Sequence, residues 1–95
     1  MIKSWASRRT ERFFRNGKNP YRGMDGRLAE RRLALLDELE RLDEIAPLAS
    51  IGLHKLKGDR KGQWAMMIVN GPWRVCFRFR GGHAYDVEIV DYHKG

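Results

Sequence analysis

The chain has 95 residues, enough for one domain around a single core and too few for a second. Apolar residues make up 42% of it, with aromatics spread throughout, which excludes a disordered basic tail. Against 12 Asp and Glu stand 19 Lys and Arg, a net charge of +7; that field favours a polyanionic partner, nucleic acid or a ribosome ahead of anionic lipid, with an acidic protein as the other reading.

Residues 1–5 alternate loosely around Ile2 and Trp5 and form a short first strand in this reading. They lack the apolar run of a secretion signal, and no stretch reaches membrane-spanning length, so a cytoplasmic protein is expected. Ser4 or Ser7 can cap a short helix over 8–15, which Asn16-Gly17 stops through the left-handed conformation both residues tolerate. Of Phe13 and Phe14, one is expected in the core and the other against the next helix. A breaker-rich loop over 17–26 follows. Leu28, Leu35, Leu39, Leu42 and Ala46, widened by Leu36, then fall on one helical stripe, predicting an amphipathic helix over 25–45 that ends near Pro47. Its opposite face alternates in charge, as a solvated face does.

Beyond Pro47 the period changes to two. Strands are predicted at 50–56, 63–69, 73–80 and 83–90, joined by a loop over 58–62, an Asn70-Gly71-Pro72 reversal and a Gly81-Gly82 turn. Such short connections make antiparallel neighbours. The fold class is therefore α+β: two N-terminal helices packed on a twisted, mainly antiparallel sheet of four to five strands, with 1–95 as one domain.

In the 73–80 strand, Trp73, Val75, Phe77 and Phe79 share one face, and Arg74, Cys76, Arg78 and Arg80 share the other. The arginines would stand about 6.6 Å apart, close to the spacing of phosphates along one nucleic-acid strand. No carboxylate interrupts that face between 73 and 80. The alternative is an ordinary solvated sheet face.

The chemistry available is limited. Cys76 is the single cysteine, so there is no internal disulfide or thiolate zinc site, and its strand position suits a small half-buried residue. His54, His83 and His93 lack the spacing of a metal motif, no serine sits in a nucleophile elbow, and no Gly-rich loop matches a phosphate-binding fingerprint. What remains is His54, several fixed cations and a C-terminal Asp91-Tyr92-His93. That inventory suits metal-free cleavage of RNA, in which a base takes the 2′-OH proton, cations stabilise the phosphorane and an acid protonates the leaving oxygen. Each residue also has a plainer reading: His54 as a half-buried strand residue, Lys57 as the flank of a turn, Tyr92 and His93 as a frayed end. His54 and Lys57 lie three apart, so both serve one site only if the strand bends or ends near Leu56.

The run His54-x-Leu56-Lys57-Gly58-Asp59 with Trp64, the run Asn70-Gly71-x-Trp73-Arg74-Val75-x-Phe77, and the terminal Asp91-Tyr92-His93 resemble the HigB branch of the RelE superfamily. Met1-Ile2-Lys3-Ser4-Trp5 and Phe13-Phe14-Arg15-Asn16-Gly17 share the likeness, so it covers nearly the whole chain. These are small toxins of bacterial toxin–antitoxin pairs that cleave mRNA on the translating ribosome. The resemblance implies a RelE-like fold and catalytic candidates His54, Lys57, Arg74, Tyr92 and His93. Lys57 and Arg74 would hold the phosphate, His54 or His93 would move protons, and Tyr92 would orient a base or sugar. Lys55, Arg60, Arg78 and Arg80 are expected to bind RNA. The implied partners are a helix-turn-helix antitoxin of the HigA type, the 70S ribosome and mRNA, with no membrane, metal or small-molecule cofactor. A non-catalytic RNA- or ribosome-binding module using the same arginines is the second reading, and a degenerate toxin kept as a protein partner the third.

Overall fold

A computed structural model describes residues 1–68 and 71–91 of the chain. Asn70 of the predicted reversal and the candidates Tyr92 and His93 lie outside the described residues. Helix α1, Arg8–Asn16, begins at Ser7, whose hydroxyl accepts from the Thr10 N–H, and ends at Gly17 (φ 77°). This is the predicted helix with the predicted caps. Helix α2, Gly26–Glu38, is capped by the Asp25 carboxylate, which accepts from the Leu28 N–H at 3.0 Å.

Helix α2 stops seven residues short of the predicted end. Leu39 takes an extended conformation, and the Glu44 carboxylate accepts from the backbone N–H groups of Glu40 and Arg41, opening a separate 3-10 turn at Leu42–Glu44. An acidic side chain within reach of free N–H groups supplies them a partner outside the helix. The break lets Leu39 and Ile45 both reach the core, whereas Ala46 is exposed. The buried stripe is accordingly rotated from the predicted one. Ala29, Leu33 and Leu36 are fully buried, and Leu28, Leu35 and Leu42 are only partly so.

The sheet contains β1 (His54–Lys55), β2 (Trp64–Met67), β3 (Trp73–Arg80) and β4 (His83–Asp91), antiparallel in that order. Two helices on this sheet give the expected α+β fold. Residues 1–6 run parallel beside β4 and touch it through two bridges, Ile2 to Ala84 and Trp5 to Val87, in place of a regular first strand. The interruption has a cause in β4, where a bulge shifts register between Cys76 and Arg78 and puts Asp86 at φ 53°. The extra residue turns both Ala84 and Val87 toward the core, and the Ser4 hydroxyl accepts from the Asp86 N–H at 2.9 Å.

Between helices and sheet lies a core of Phe13, Leu33, Leu36, Met66, Val75, Phe77 and Val87, among others. Phe13 is the buried phenylalanine of its pair; Phe14 is partly buried against the core and packs on Trp5, with ring centroids 5.4 Å apart. Thr10 is the buried polar residue of the described chain. Its hydroxyl shares a hydrogen bond of 2.7 Å with Tyr21 and accepts from the Ile89 N–H at 3.0 Å, joining α1, the following loop and β4. Among the described residues no helix is long and apolar enough to cross a membrane.

Candidate active site

Because Met66, Val75, Phe77, Val87 and Ile89 face the helices, the alternate residues of the same strands face away from them. Strand register places His54, Ala65, Cys76 and Glu88 in one row across this outer face. Met67, Arg74 and Val90 form the next row. Leu56, Ala65, Cys76 and Val90 make a small second apolar cluster there, so the outer face has a dry floor. Cys76 is fully buried in that floor rather than half-buried, and burial pushes its thiol up to about 11.

His54 is exposed on the edge strand, with Nδ1 2.9 Å from the Gly52 carbonyl oxygen. A carbonyl only accepts, so this contact puts the proton of a neutral ring on Nδ1 and leaves Nε2 with its lone pair. Gly52 has φ 59°, and a Cβ there would stand 2.7 Å from Met67 Cε, so glycine is required where the chain crosses β2.

Strand β1 ends at Lys55. The Leu56 N–H donates to the Gln63 carbonyl, and Lys57 leads into a 3-10 turn, Gly58–Arg60, whose first residue has φ 64°. Lys57 is still extended (φ −124°, ψ 177°), so the alternation that sets His54 and Lys57 on opposite faces runs up to the turn itself. The turn is tied to the sheet by Arg60, which donates through Nη1 to Gln63 Oε1 and to Glu88 Oε2, each at 3.0 Å. Beside the turn opens a cleft of about 560 Å³ with Leu56 and Trp64 on its walls and Lys55, Lys57 and Lys61 at its rim.

The arginine face is less one-sided than the sequence of β3 implies. Strand β4 brings two carboxylates onto it: Glu88 against Arg60, and Asp86 at 3.4 Å from Arg78 Nε. Arg78 also leans on the 61–62 backbone, donating to Lys61 O at 3.5 Å. Arg80 stacks over Tyr85 (4.8 Å) and Lys55 over Trp64 (5.3 Å), both still exposed. Arg74 donates to the Gly71 and Trp73 carbonyls, which fixes its guanidinium beside the β2–β3 connection. Nothing in the sequence alone singles out Glu88 or Gln63. The alternation of β4 puts Glu88 on the side opposite Val87 and Ile89, but its partner 28 residues away is visible only in the register. Among the described residues no group of three or more His, Cys, Asp or Glu side chains is arranged to hold a metal ion.

Residues 3–93 match a family profile described as HigB-like toxin, a RelE-like toxin of the type II toxin–antitoxin system HigB. The chain is also similar to Endoribonuclease HigB from Proteus vulgaris, at 37% identity over 62 residues. That alignment covers 60% of this chain and 66% of the relative, just under two thirds of its length.

Proposed function

The chain belongs to the HigB-like family, the RelE-like toxins of type II toxin–antitoxin systems, and from that premise we propose that it is an endoribonuclease that cuts mRNA on translating ribosomes. What supports the reading most is the outer face itself. It carries His54 with a free Nε2 and Arg74 on neighbouring rows, with Lys57 on the adjoining turn.

The chemistry follows from those groups. A side-chain base, His54 Nε2, takes the proton of a ribose 2′-OH, whose oxygen bonds to the adjacent phosphorus as the P–O5′ bond breaks. The products are a 2′,3′-cyclic phosphate and a 5′-OH, the leaving oxygen taking its proton from an acid, for which His93 is the candidate. Lys57 and Arg74 hold the phosphate and neutralise the charge that accumulates on it, and Tyr92 orients the neighbouring base or sugar. Lys55, Arg60, Arg78 and Arg80 contribute positive potential to the RNA path, Arg60 and Arg78 through charges shared with Glu88 and Asp86. No metal takes part in these steps.

One base and one acid on an exposed surface are modest catalysts, so the ribosome is assigned the remaining task of holding the 2′-OH in line with the leaving oxygen. Family membership implies an antitoxin as partner; we assign it a HigA-like helix-turn-helix fold and place the pair in the cytoplasm, with 1–95 as one toxin domain. The test is cleavage of ribosome-bound mRNA carrying a single 2′-deoxy nucleotide at a mapped cut. Loss of that cut alone, with cyclic phosphate ends elsewhere, is expected. Cutting at the deoxy position would refute 2′-OH attack.

A further inference from the structure

We infer that the cleft between β1, the Gly58–Arg60 turn and β2 is a binding site for one nucleotide of single-stranded RNA, adjoining the phosphate that is cut and sharing Lys57 with it. This rests on the endoribonuclease reading and adds a base-binding site to it. At about 560 Å³ the cleft is of ligand size. Its walls, Leu56 and the half-buried Trp64, are apolar, and Trp64 is braced on the main core behind it. Lys55, Lys57 and Lys61 surround the mouth. An aromatic wall with cations at its rim matches a base joined to a phosphate. The Lys55 ammonium now lies 5.3 Å from the centre of the Trp64 ring. A base entering the cleft takes its place over the ring and leaves the ammonium to the phosphate.

Two further features favour a nucleotide over a bare anion. Gln63 also lines the cleft, and because its Oε1 accepts from Arg60, its amide orientation is fixed, so the N–H donors of Nε2 are available to base acceptors. On the far side the Arg78 guanidinium donates to the Lys61 carbonyl at 3.5 Å, beside Gly62 (φ 92°), which puts a planar cation near the cleft. By contrast, another recess among the described residues, about 510 Å³, lies between Glu38, Glu40 and His83, where two carboxylates repel phosphate.

The test is a titration of the purified 95-residue protein with adenosine 5′-monophosphate, ribose 5-phosphate and inorganic phosphate, followed by nuclear magnetic resonance. The Trp64 indole N–H and the amides of 55–64 are expected to shift with the nucleotide. At those signals ribose 5-phosphate should bind about tenfold more weakly, since it has no base to stack. Lys61→Ala should weaken the nucleotide severalfold, and Trp64→Phe, which keeps a ring, should retain it better than Trp64→Leu at equal folded content. Equal shifts from all three probes, or none over 55–64, would overturn the site. So would shifts from an acidic peptide in place of the nucleotide, which would assign the cleft to a protein partner. Shifts in a protein that cuts no mRNA would refute the endonuclease and leave the nucleotide site standing; cutting without shifts would do the reverse.

Discussion

Replacing Glu88 with alanine removes a charged partner of Arg60, one of those through which the Lys57-bearing turn is held against the sheet. Arg60 and Glu88 meet at 3.0 Å with side chains 31% and 23% exposed, so they are neither a screened surface pair nor a dry one. Exposed pairs contribute ~0.2–1 kcal/mol, and breaking a buried one costs ~3–5 kcal/mol. The loss here should fall between, about 1.5–2.5 kcal/mol. For a domain of this size that lowers Tm by roughly 8–15 °C. Glu88→Gln, which keeps an acceptor and loses the charge, should lose less. Arg60→Ala should lose more, because the bond to Gln63 goes too. Thermal unfolding of both single variants and the double variant measures the coupling, expected at about 1 kcal/mol or more. If Glu88→Ala melts within about 2 °C of the parent, or the two losses simply add, the pair does not hold the turn.

Lys57→Ala and Arg74→Ala should each slow cleavage of ribosome-bound mRNA by about a hundredfold, read from single-turnover rates, while Lys57→Ala, on the surface, leaves Tm nearly unchanged. Thr10→Val removes a buried hydroxyl that serves both Tyr21 and the Ile89 N–H, and should cost ~1–3 kcal/mol in urea unfolding. The folded-state thiol of Cys76 is raised to about 11, so the folded protein holds that proton after the unfolded chain has released it. Its contribution to stability is whole below the ordinary thiol range and is lost as pH climbs toward 11. The fall between about pH 9 and 11 should be shallower in Cys76→Ala, measured by denaturant midpoint.

Much of the fold could be read because its signals are local. Ser7 and Asn16-Gly17 mark both ends of α1, and β3 and β4 alternate visibly in sequence. The leucine spacing runs through Leu39 and Leu42 and so predicts a longer α2, while the acceptor that breaks it, Glu44, attracts no notice in a charged face. The composition of the site's outer face was harder to read for a related reason. Parity alone assigns Arg74, Cys76 and Arg78 to one side of β3, but which carboxylates meet them depends on a bulge at Asp86, a non-glycine residue at positive φ. Likewise the pairing of Leu56 with the Gln63 carbonyl, seven residues beyond it, is visible only in the register, and Lys57 after it is still extended.

Mapping the 5′ ends of an mRNA after adding purified protein to a translating system, beside the same RNA without ribosomes, bears most directly on the proposed activity. Cuts at defined positions within codons, present only with ribosomes, are predicted. Equal cutting of naked RNA would contradict the dependence on the ribosome. Ribosome binding without cuts in either reaction would contradict catalysis, and leave the basic outer face as a binding surface.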